Sequence, residues 1–83
     1  MRSGRPEKHS LTLRGHRTSV SLEPEFWHAF REIAAAERRA LNDLAAEIDV
    51  GRGTRRGLAS AIRVFVLDWH RGRAALPQSR AGE

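Results

Sequence analysis

The chain has 83 residues, room for one domain. It has no cysteine, so disulfides and thiolate metal sites are excluded, and oligomerisation is left as the expected support for so small a core. The net charge of +5 is polarised: residues 1–17 carry five basic and one acidic side chain, residues 18–50 three and seven, residues 51–83 seven and two, and basic ends suit a polyanion such as nucleic acid.

Residues 1–8 are polar, basic and interrupted by Gly4 and Pro6, the composition of a flexible basic arm. They hold no apolar stretch of the kind a signal peptide needs, and no apolar run in the chain approaches the ~18 residues of a membrane span. The expected location is cytoplasmic. Ser10-Leu11-Thr12-Leu13-Arg14 and Arg17-Thr18-Ser19-Val20-Ser21-Leu22 both alternate polar and apolar residues, the period of a strand. Gly15-His16 between them suits a two-residue hairpin turn. In the second segment Thr18, Val20 and Leu22 share one face, and Arg17, Ser19 and Ser21 share the other.

Glu23-Pro24-Glu25 opens a helix, with proline tolerated in the first turn and the acids at the positive end of the dipole. Phe26, Phe30, Ile33 and Ala34 make one amphipathic stripe, flanked by Trp27, and the helix should stop near Glu37. A second helix starts at Ala40 or Leu41, shows Leu41, Leu44, Ala45 and Ile48 to the core, and ends at Gly51-Arg52-Gly53 in a left-handed glycine cap. Thr54 is a candidate N-cap for a third helix ending near Arg71. That helix is apolar nearly all round, through Leu58, Ala61, Ile62, Val64, Phe65, Val66, Leu67 and Trp69. A helix apolar on several faces is buried, and a chain this short has little to wrap around it, which argues for a dimer. The folded part should span 9–71, with 72–83 a disordered tail.

Catalytic signatures are absent. His9, His16, His28 and His70 never pair at i+3 or i+4, and the sequence has no phosphate-cradling glycine loop and no nucleophile elbow. The carboxylates of the acidic middle read as helix caps and solvated faces, and Trp27 and Trp69 as core. No enzyme activity, metal or cofactor is expected.

Arg17-Thr18-Ser19-Val20-Ser21-Leu22 resembles the ribbon of ribbon-helix-helix repressors of the Arc/MetJ/CopG type. Phe26, Phe30, Ile33 and Ala34 fall where that family keeps its first-helix core, and Ala40-Leu41-Asn42-Asp43-Leu44 where its second helix begins. Residues 16–49 are similar to a short bacterial subfamily, with Arg-Thr-Ser-Val-Ser-Leu-Glu-Pro-Glu-Phe-Trp the most recognisable run. The resemblance covers roughly residues 10–70. It implies a mainly α fold with a short β-ribbon, made an intertwined homodimer by pairing one strand from each subunit, and here extended by a third helix. It implies a nucleoid-associated regulator of transcription, repressor-like, that reads double-stranded DNA in the major groove through Arg17, Ser19 and Ser21. Arg14, Arg39 and the backbone at Leu41 and Asn42 would contact phosphates. Val20, Leu22, Phe26, Phe30, Ile33, Leu44, Ile48, Ile62, Phe65 and Trp69 would form the dimer core. Two departures stand out: the family often has glycine in the inter-helix turn and serine or threonine at the second N-cap, where this chain has Arg38 and Ala40, and its simplest members end before a third helix; strand 10–14 is a further addition, expected to pair beside the ribbon or to lie as an arm in the groove.

Two alternatives compete. Residues 44–54 resemble the first helix and turn of a helix-turn-helix, with Ala45 and Gly51 at small-residue positions and the 54–71 helix for recognition. That helix offers the groove few polar residues beyond Arg55, Arg56 and Arg63. Alternatively, the chain is an antitoxin-like interaction module with weak or no DNA binding, using its tail, with Leu76 as anchor, to hold a protein partner.

Overall fold

The computed structural model describes residues 5–52 and 56–81, with side chains as far as Gly72. The elements run β1 (Glu7–Leu13), β2 (His16–Leu22), α1 (Pro24–Ala36), α2 (Leu41–Gly51) and α3 (Leu58–Ala81). Strands β1 and β2 form one antiparallel hairpin with Leu13 opposite His16, Ser10 opposite Ser19 and Glu7 opposite Leu22. Two-residue alternation divides its faces. Leu11, Leu13, Val20 and Leu22 are buried, while Lys8, Ser10, Thr12, Arg17, Ser19 and Ser21 are exposed.

The turn residues are Arg14 and Gly15, one position earlier than the Gly15-His16 expected from sequence. Their φ angles of +53° and +85° are those of a type I′ turn, which matches the twist of a hairpin. A turn at Gly15-His16 would have set Arg14 directly opposite Arg17, a like-charge pair that destabilises a sheet. The adopted register opposes Arg17 to Thr12 instead.

The three helices close over the apolar face of the hairpin. Phe30, Leu22, Ile33, Leu44 and Ile62 have at most 1% of their surface exposed. Burial of each stabilises the fold by about 1.5–3 kcal/mol. Phe65 meets Phe30 edge-on with ring centroids 6.4 Å apart. Two long-range polar contacts tie α3 to α1: Arg63 Nε donates to Glu23 Oε1 at 2.9 Å, and Trp69 Nε1 donates to Glu37 Oε2 at 2.8 Å.

Helix α1 ends in a Schellman motif. Arg38 is left-handed with φ +56°, its N–H reaches the Ala35 carbonyl at 3.1 Å, and the Arg39 N–H reaches the Ala34 carbonyl at 2.9 Å. Arginine thus holds the position that the resemblance assigns to glycine. Helix α2 begins at an extended Ala40 that gives no side-chain cap.

Several expectations need correction. Glu7 and Lys8 belong to β1 rather than to an arm, because the hairpin pairs them with Leu22 and Ser21; residues 1–4 lie outside the described residues. Gly51 is helical and Arg52 caps α2 in right-handed geometry, while Gly53 and the proposed cap Thr54 lie outside the described residues. Helical backbone continues past Arg71 to Ala81, where a tail was expected. The residues expected in the dimer core all contribute to the core of the single chain described, which holds no second subunit. Val20, Leu22, Phe30, Ile33, Leu44 and Ile62 are buried there, and Phe26, Ile48, Phe65 and Trp69 pack against them half-buried. On α3 the chain buries Ala61, Ile62 and Val66, and leaves Val64 and Leu67 exposed at 37% and 51%.

Candidate nucleic-acid interface

The exposed face of the hairpin is built from two rows: Lys8, Ser10 and Thr12 on β1, and Arg17, Ser19 and Ser21 on β2. Parity produces it. Val20 and Leu22 must enter the core, so their neighbours point the other way, and a one-residue slip would exchange the two sets. The face carries two cations and four short hydroxyl side chains, with no apolar residue among these six. Ser10 and Thr12 are not among the sequence-derived site residues, although the alternation of residues 10–13 already places them on one face.

The two edges of the hairpin differ. With a two-residue loop, Leu13 and His16 form a hydrogen-bonded pair, so the backbone groups of Ser10 and Thr12, and of Arg17, Ser19 and Ser21, point outward from the hairpin. The β1 edge is met by α2: the Thr12 N–H donates to Asn42 Oδ1 at 3.1 Å. On the β2 edge, Arg63 Nη2 approaches the Ser21 carbonyl at 3.4 Å. The stretch around Arg17 and Ser19 thus offers donors and acceptors to a further strand.

The sequence-derived phosphate contacts are distributed over two places. Arg14 sits in the hairpin turn, where with His16 and Arg17 it lines an open cleft of about 420 Å³ that also reaches Asp49, Arg52 and Leu58. Asp49 is held there by Arg52 Nε at 2.7 Å. Arg39, Leu41 and Asn42 lie at the turn between α1 and α2. Arg39 donates from both terminal nitrogens to the Glu47 carboxylate, at 2.9 and 2.8 Å. That hydrogen bonding raises the Arg39 pKa and lowers that of Glu47. A phosphate would have to take Arg39 from Glu47, an exchange that surface pairs permit because they are weak. The Asn42 side chain is engaged with β1.

Beside the hairpin, His9 stacks flat on Trp27 with ring centroids 3.8 Å apart, fixing β1 to α1. Glu23 accepts from Arg63, which holds its carboxyl below the ordinary glutamate value. Among the described residues no cluster of three or more His, Cys, Asp or Glu could hold a metal, and no helix is long and apolar enough to cross a membrane.

The family model for the ribbon-helix-helix domain matches residues 6–70, from the start of β1 through α3 as far as His70. The chain belongs to the ribbon-helix-helix family. Its domains are in general DNA-binding transcription regulators or antitoxins, non-enzymatic, and dimer-forming. No curated protein and no solved structure matches the chain. α2 ends at Gly51 and α3 begins at Leu58, and residues 53–55 of the connection lie outside the described residues.

Proposed function

We propose that this protein is a sequence-specific, repressor-like DNA-binding regulator that acts as a homodimer and reads the major groove with paired β2 strands. The observation behind it is the combination, on one strand, of an outward polar row and an available backbone edge. Antiparallel pairing of two copies over the full seven-residue strand centres on Ser19, opposing Arg17 of one copy to Ser21 of the other. The same pairing sets the basic turn of one copy (Arg14, His16 and Arg17) against the acidic start of α1 in the other (Glu23 and Glu25). The polarised charge of the chain favours that orientation. An exposed strand edge is a liability that a second copy removes.

In the paired ribbon Arg17 supplies the bidentate guanine contact, worth roughly 1–3 kcal/mol of discrimination, while Ser19 and Ser21 bond to any base and discriminate weakly. Arg14 and the α2 N-terminus, with Arg39 released from Glu47, serve phosphates. The folded unit runs from β1 to the end of α3, residues 7–81. The protein works in the cytoplasm on the bacterial nucleoid and uses no cofactor. A second reading, a protein-interaction module of antitoxin type, is favoured by the exposed Val64 and Leu67, one turn apart on α3.

Selection of duplexes from a randomised pool tests the first reading. A defined, two-fold symmetric sequence should be enriched and bound more tightly than random DNA. Failure to enrich any sequence, with only salt-sensitive binding to all duplexes, overturns it.

A further inference from the structure

Strand β2 is already paired with β1 along one edge, so a ribbon made from two copies brings two hairpins together. The inference rests on the proposed pairing of β2 across the dimer axis. That pairing yields a four-stranded sheet in the order β1, β2, β2, β1, with the exposed faces of all four strands on one side. Adjacent strands lie about 4.8 Å apart, so the two β2 strands run about 2.4 Å, and the two β1 strands about 7.2 Å, from the axis. The major groove is about 12 Å wide and admits two strands, so its walls stand about 6 Å from the axis. The β2 pair fits between the walls and the β1 strands do not.

We infer that β1 is a phosphate-binding rail: Lys8, Ser10 and Thr12 rest on the sugar-phosphate backbone at each wall of the groove, while their cross-strand neighbours Ser21, Ser19 and Arg17 face the bases. The residue types fit the two tasks. Lysine is a point charge suited to phosphate, and serine and threonine hydroxyls are common phosphate donors. The Asn42 bond to the Thr12 N–H holds the rail from its far side. It gives β1 an anchor independent of DNA. The rail makes no base contact, so it fixes the height and register of the ribbon without adding sequence information.

Ser10 and Ser19 are direct cross-strand partners on one exposed face, and the same substitution at each separates their roles. Binding of Ser10→Lys and Ser19→Lys to the selected duplex and to a random duplex is measured across a salt series. In Ser10→Lys each dimer gains two phosphate contacts. Affinity should rise for both duplexes by the same factor, and the salt slope should steepen by about 1.8, an extra loss of about 12-fold between 50 and 200 mM salt. The ratio between the two duplexes should stay as in the wild type. Ser19→Lys should change that ratio. A changed ratio, or an unchanged slope, in Ser10→Lys overturns the rail. An unchanged ratio in Ser19→Lys overturns the ribbon beneath it, so the two failures are distinguishable.

Discussion

Replacing Arg38 with glycine should stabilise the protein. Arg38 is exposed and its φ of +56° lies in the left-handed region. That conformation costs an L-residue other than glycine about 1–2 kcal/mol. Glycine removes this cost, and its freer unfolded chain takes back about 0.4–1 kcal/mol. The net gain is about 0.5–1 kcal/mol. At 4–8 °C per kcal/mol for a domain of this size, Tm should rise by about 2–8 °C. The Schellman bonds from Arg38 and Arg39 are backbone bonds and survive the change. Arg38→Ala is the control, because alanine keeps the left-handed penalty while losing the same exposed side chain. Thermal unfolding by circular dichroism should be run at one fixed protein concentration, since the proposed dimer would make Tm concentration-dependent. Equal melting temperatures for Arg38→Gly and Arg38→Ala would refute a backbone origin and with it the assigned turn.

Phe30→Ala should lose roughly 3–5 kcal/mol, most of what so small a domain holds, and Phe65→Ala measurably less because Phe65 is only half-buried; urea titration gives both. Glu23 has a lowered pKa in the folded state, so the Arg63 pair stabilises above the unfolded value of about 4.3 and that contribution is lost as pH falls through the folded one. The Tm difference between wild type and Glu23→Gln should therefore shrink in acid; a difference that is constant from neutral pH down to full protonation contradicts the pairing. Ser19→Cys, in a chain with no other cysteine, should form a cross-linked dimer on oxidation, because hydrogen-bonded antiparallel partners have Cα atoms about 5.5 Å apart, within disulfide range. Ser10→Cys should not, and non-reducing electrophoresis distinguishes them.

Alternation and helical period made much of this fold legible. The parity of β2 follows from Val20 and Leu22, and α1 follows from Pro24, Phe30 and Ile33. The resemblance carried the family. What stayed hidden depended on contacts distant in sequence or on backbone geometry. Glu7-Lys8-His9 has no apolar period, and joins β1 only because His9 stacks on Trp27 and Lys8 pairs with Ser21. The Arg63–Glu23 and Asn42–Thr12 bonds span 40 and 30 residues, and no local pattern announces them. The apolar character of α3 argued for a shared core, yet the hairpin and two helices of one chain bury Ala61, Ile62 and Val66. At the candidate site, the Arg17, Ser19 and Ser21 row was visible in sequence. For the second row the sequence shows the strand 10–14 but not its register, which is what sets Ser10 beside Ser19 and Thr12 beside Arg17.

The most direct measurement is the ratio of affinities for the selected and random duplexes, compared between wild type and Arg17→Ala at one salt concentration. Two copies of a guanine contact, each worth roughly 1–3 kcal/mol, are lost from the dimer, so the ratio should fall by more than about tenfold. Loss of affinity by the same factor on both duplexes, with the ratio unchanged, would make Arg17 a phosphate contact and contradict base reading by the β2 ribbon.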